Sequence, residues 1–148
     1  MDYINDFTEI KEEVGNLYKY EEDRASKEVK EVPNGTYIVE ISSMMVGLTK
    51  ANKPALKAKF TVTDGEYTHG TLYMTTVLTS SYTTEKACNF LKALGTDVNV
   101  YFDNTENFKK ITEEIFNKIK GNCEFDLTYW TNAKGFNEFK IEGVYDLV

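Results

Sequence analysis

The sequence is poor in the residues that carry most catalytic and metal chemistry. Its 148 residues include one histidine (His69), one arginine (Arg24), one tryptophan (Trp130), two prolines and two cysteines. Cys88 and Cys123 stand far apart without a paired-cysteine spacing, which excludes a zinc knuckle and a redox pair, so both are read as buried thiols. His69 sits in a turn beside Gly70 and has no Ser, Cys or Asp around it in a nucleophile pattern. The glycines are dispersed, with no phosphate-cradling spacing. Glu124 and Asp126 share a strand face, but two carboxylates make a poor cation site. No enzyme, metal or cofactor is therefore expected. Long apolar runs are also missing: the stretch Ile41 to Leu48 is interrupted by serines and a glycine and falls well short of a membrane span. The start, Met1-Asp2-Tyr3-Ile4-Asn5-Asp6, lacks the features of a secretory signal, so the expectation is a soluble protein of the cytoplasm.

Aromatic residues, by contrast, are plentiful. Ten Tyr and nine Phe bring the aromatic fraction to 14%, enough to serve a core and an exposed surface together. The net charge of −7 argues against a polyanionic ligand until its distribution is considered. Residues 1 to 31 hold ten acids against five bases, which leaves 14 acids and 12 bases in the rest of the chain. Within that nearly neutral body, Lys50, Lys53, Lys57 and Lys59 occupy ten positions that contain no acid. With arginine so scarce, bidentate readout of guanine is not available, and any nucleic-acid binding would be weakly sequence-selective.

Two regions are expected. In residues 1–31, Phe7, Ile10, Val14 and Leu17 recur at helical spacing, giving a short amphipathic helix followed by an acidic linker. From Val32-Pro33-Asn34-Gly35 onwards the pattern is that of one domain, 32–148. Tyr37, Val39 and Ile41 alternate along a first strand, Thr36 to Val46. A polar loop through Lys50, Asn52 and Lys53 leads to a second strand, where Leu56, Ala58, Phe60 and Val62 alternate with Lys57, Lys59 and Thr61. A third strand pairs the apolar Leu72 and Met74 with Tyr73 and Thr75 on the other side. The period then becomes helical. Ala87, Phe90, Leu91 and Leu94 form one stripe, with Thr83 or Thr84 as the cap and Gly95 as the end. Phe108, Ile111, Ile115 and Ile119 form a second, opened by Asn104 or Thr105 and closed by Gly121 in a left-handed cap. A fourth strand, Cys123 to Trp130, turns at Asn132-Ala133-Lys134-Gly135 into a fifth, Phe136 to Leu147, with Phe139, Ile141 and Val144 facing the core.

This order, mainly β within an α+β class, predicts a five-stranded OB-like Greek-key barrel with helices inserted between strands 3 and 4 and the amphipathic helix at the N-terminus. A β-grasp-like or small sandwich arrangement yields a similar string. In OB geometry nucleic acid crosses the face of strands 2 and 3 between two bordering loops. Those places here carry Lys50, Lys53, Lys57 and Lys59, then Tyr73, then Trp130, Lys134 and Phe136. Ammonium groups neutralise phosphates, and flat rings stack on unpaired bases whatever their identity. A plainer reading of the same residues is a solvated lysine face with aromatics filling a core. Trp130 is the ring most firmly assigned outward, because Tyr129 and Leu127 claim the inner face.

Val32-Pro33-Asn34-Gly35-Thr36-Tyr37-Ile38-Val39-Glu40-Ile41, Asn52-Lys53-Pro54-Ala55-Leu56, the Asp64-Gly65-Glu66-Tyr67 to Gly70 turn and Phe90-Leu91-Lys92-Ala93-Leu94-Gly95 resemble the phage single-stranded DNA-binding proteins designated DUF669. The resemblance spans Val32 to Gly95. It implies an OB-type fold that coats single-stranded DNA in phage replication or recombination, with phage or host replication and recombination proteins as partners; a homo-oligomer is compatible with it. The insert around Asn104 to Lys120 is longer than that family implies, and the acidic residues lie at the N-terminus. The alternative is a phage protein-interaction module or inhibitor whose acidic surface imitates DNA.

Overall fold

The computed structural model describes residues 31–147. Five strands form one antiparallel sheet: β1 (Gly35–Leu48), β2 (Pro54–Val62), β3 (Thr71–Val77), β4 (Cys123–Thr131) and β5 (Asn137–Asp146), in the spatial order β3-β2-β1-β4-β5. Two helices, α1 (Ser81–Ala93) and α2 (Thr105–Ile119), lie between β3 and β4 in the chain. The molecule is thus mainly β in an α+β arrangement, as its periodicities predict. The amphipathic helix expected around Phe7 to Leu17 lies outside the described residues. Among the described residues no helix is long and apolar enough to cross a membrane.

The long first strand organises the sheet. Its opening half, Gly35 to Val39, pairs with β4, and its continuation from Val39 pairs with β2. A register shift between Ile41 and Ser43 separates the two stretches of its β2 pairing, and such a bulge bends a strand and raises its twist. One inner face results, carrying Val39, Ile41, Met44, Val46, Leu56, Phe60, Val62, Phe125 and Leu127, all buried.

The rings on that face report how far the sheet curls. Phe60 of β2 and Phe139 of β5 stack with centroids 5.5 Å apart. The two strands are three positions apart in the sheet, about 14 Å if it were flat. The inner face must therefore wrap around a single core. Phe139 also stacks on Tyr129 of β4 at 5.3 Å, and Phe90 of α1 meets the Phe60 ring edge-on at 6.0 Å.

Closure by strand pairing is where the fold departs from expectation. β3 and β5 remain the two ends of the sheet and do not pair. The two strands approach each other without forming a ladder, and α1 packs against both of them. α2 packs on β1 and buries Phe108, Ile111, Ile115 and Ile119, the stripe its sequence displays.

Three local expectations are also corrected. α1 is capped by Ser80, not Thr83 or Thr84: the Ser80 hydroxyl accepts from the Thr83 amide, and the Thr83 side chain returns the bond to the Ser80 backbone. Val144 stands opposite the buried Phe125 but is itself exposed, because β5 is an end strand with no neighbouring strand beyond it. Cys88 is buried as expected, whereas Cys123 is only half-buried, its thiol 3.6 Å from Asp146 Oδ1. Asn104 caps α2, and Gly95 and Gly121 follow the two helices with φ of 77° and 74°, as the sequence predicts.

Candidate functional site

The register of β2 and β3 places the anticipated basic and aromatic residues in rows on the outer face. Lys59 lies between Ser43 and Tyr73, and Lys57 between Met45 and Thr75. Tyr73, the strand partner of Lys59, is 48% exposed. Lys57 departs from an open basic face. It is only 8% exposed, and its neighbour Ala55 is fully buried, so this end of β2 is closed in on both sides. Glu40 is exposed on the same outer face of β1 opposite Thr61, which sets an acidic limit to the basic row.

The loop between β1 and β2 is tightly built. The Thr49 amide donates to Lys53 O at 2.8 Å, the Asn52 amide donates to Thr49 O, and the Lys53 amide donates to Thr49 Oγ1. Asn52 takes the left-handed conformation this turn requires, at φ 64°. Lys50 and Lys53 are thereby held exposed at the start of β2, beside the end of β3, where the Leu78 amide donates to Pro54 O.

The β4–β5 turn is organised by one asparagine. Asn132 Oδ1 accepts from the amides of Lys134 at 2.9 Å and Phe136 at 3.0 Å, and its backbone amide donates to Phe136 O. Gly135, at φ 86°, supplies the positive dihedral that the turn needs. The Lys134 side chain and the Phe136 ring, 66% exposed, stand out from this frame. Trp130 faces away from the core as the alternation predicts and is 38% exposed.

Trp130 also lines a cleft of about 620 Å³ between the unpaired ends of the sheet. One wall is β3 at Met74 to Thr76, the other is β5 at Asn137 to Ile141, and α1 contributes Tyr82, Glu85, Lys86, Asn89, Phe90 and Ala93. Thr75 belongs both to this lining and to the outer row that holds Tyr73, so cleft and outer face are continuous. Sequence reasoning missed Tyr82, at 74% the most exposed large apolar side chain among the described residues. The signal existed. Tyr82, Lys86, Asn89 and Ala93 recur at helical spacing beside the apolar stripe, and all four line the cleft.

A polar clamp fixes α1 over this cleft. Lys86 Nζ meets Glu138 Oε1 at 2.5 Å, and Asn132 Nδ2 donates to Glu138 Oε2 at 2.9 Å. The Lys86 hydrogen bond, helped by that of Asn132, holds the Glu138 carboxyl below the usual carboxylate range even though partial burial opposes it. The clamp ties the turn carrying Lys134 and Phe136 to the helix carrying Tyr82.

Among the described residues, no three His, Cys, Asp or Glu side chains gather as metal ligands. Asp126 is engaged by the Tyr145 hydroxyl, which donates to its Oδ2 at 2.6 Å. Comparison with family models and with curated proteins produced no match to this chain.

Proposed function

We propose that this chain binds single-stranded DNA with little regard to sequence, as a coating protein, and is not an enzyme. The observation that carries the reading is the outer surface running from Lys59 and Tyr73 through Thr75 to Trp130. It alternates cations and hydroxyls with exposed rings, the composition that tracks a phosphate backbone while stacking on its bases. Lys50 and Lys53 border it from the first loop, and Lys134 and Phe136 from the last turn. In this reading Lys50, Lys53, Lys59 and Lys134 neutralise phosphates, and Tyr73, Trp130 and Phe136 stack. Lys57, closed in by its surroundings, contributes less than its sequence position suggests.

The fold reading that accompanies it is an OB-type barrel left open between β3 and β5. It draws support from β1 pairing with both β2 and β4, and from the stacking of Phe60 on Phe139. The resemblance of Val32 to Gly95 to phage single-strand binders points to replication or recombination as the setting, with the proteins of those processes as partners.

The test is a titration with oligo-dT followed by the fluorescence of Trp130, the one tryptophan of the chain. Quenching that weakens with salt is expected, with a log–log slope of about −0.7 for each phosphate neutralised. An unresponsive protein at low salt would overturn the reading and favour an acidic interaction module.

A further inference from the structure

We infer that the cleft between β3 and β5 holds one unpaired base of the bound strand, with Tyr82 and Trp130 as its flat contacts. The inference rests on the single-strand reading above and adds to it a defined pocket at one end of the outer surface.

Three features of the cleft favour a base. Its floor is apolar, formed in part by Met74, Phe90 and Phe139, so a flat aromatic ligand would displace water from carbon surface. Its walls are strand edges: consecutive residues of β3 and of β5 line it, and neither strand pairs with another on that side. Such edges direct backbone donors and acceptors into the space between them. The amides of Asn89 and Asn137 add side-chain groups that can both donate and accept, as the edge of a base requires.

The cleft is also placed where the strand would arrive. Thr75 joins it to the row carrying Tyr73 and Lys59, so a chain stacked on Tyr73 reaches it along β3. Lys140 lines the β5 side and is exposed, its Nζ 3.7 Å from Glu142 Oε1, and a phosphate of the inserted nucleotide would take over from that surface ion pair. The base in the cleft is then held on a different surface from its neighbours, and its affinity depends on α1, an element the outer-face site does not use.

The experiment measures two ligands on the full chain: oligo-dT, by anisotropy of a labelled strand, and thymidine monophosphate alone, by Trp130 fluorescence. The wild-type protein should respond to both. Tyr82→Ala should lose the mononucleotide response and weaken oligo-dT by about 5- to 150-fold, the range for one lost stack. Tyr82→Trp should restore oligo-dT affinity, and Asn89→Ala should weaken the mononucleotide. Tyr82 and Asn89 are both exposed, so these variants leave the core intact. Oligo-dT binding that is unchanged in Tyr82→Ala but reduced in Lys59→Ala overturns the cleft and preserves the outer face. The cleft also falls if oligo-dT binds the wild-type chain and the mononucleotide does not. A wild-type protein that binds neither ligand overturns both readings.

Discussion

Whether a side chain on a sheet can meet a ligand depends on alternation and on what covers its row. Alternation was legible from the sequence. Leu127 and Tyr129 face inward and leave Trp130 outward, and Phe60 facing inward leaves Lys59 beside Tyr73 on the opposite face. Cover was not legible, since Lys57 shares the parity of Lys59 and yet is buried. These differences set distinct expectations for substitution. Trp130→Ala should weaken binding to all single-stranded sequences by about 1 to 3 kcal/mol, measured by anisotropy. Lys59→Ala should lower affinity and also reduce the salt slope by about 0.7, because one phosphate loses its partner. The same change at Lys57 should alter the slope less than at Lys59. A larger effect at Lys57 would show that the closed end of β2 opens when the strand binds.

At the scale of elements, periodicity located all seven segments of the described domain, because each pairs a clear apolar stripe or alternation with Gly, Asn or Ser at its ends. Element ends were less legible. The choice of Ser80 over Thr83 as the cap of α1 depends on where the first helical turn begins, which the reciprocal pair of side-chain bonds decides and the hydroxyl-rich run Thr79 to Thr84 does not. Ser80→Ala should accordingly cost about 1 kcal/mol in thermal or denaturant unfolding. The docking of α1 has a pH dependence of known sign. The Glu138 carboxyl is held below its ordinary value in the folded protein, so its contribution is complete above the unfolded value and is lost as pH falls through the lower, folded one. Acidification through that window should loosen α1 and change Trp130 fluorescence, since Trp130 lines the same cleft as Lys86 and Glu138. Glu138→Gln should remove that part of the acid response. A response equal to that of the wild type would assign it to another carboxylate.

At the scale of the molecule, the order of elements suggested a barrel, and the protein instead forms a sheet that curls around its core without closing. Element order fixes which strands can be neighbours. It does not fix whether the last pair of edges comes close enough to exchange hydrogen bonds, which depends on bulges and on the bulk placed between them. Here the Ile41/Ser43 shift bends β1, and β3 and β5 come near each other without pairing while α1 packs against both. The curl has a direct energetic signature. Phe60 and Phe139 touch only because the inner face wraps, so their contact reports the three-dimensional shape of a sheet in which they are not neighbours. A double-mutant cycle with Phe60→Leu and Phe139→Leu should give a coupling of about 0.5 to 1.5 kcal/mol in denaturant unfolding, the range for a packed aromatic pair. Strictly additive losses would place the rings apart and flatten the sheet. They would also carry Trp130 away from β3, removing at once the shared cleft and the continuous surface on which single-strand binding has been proposed.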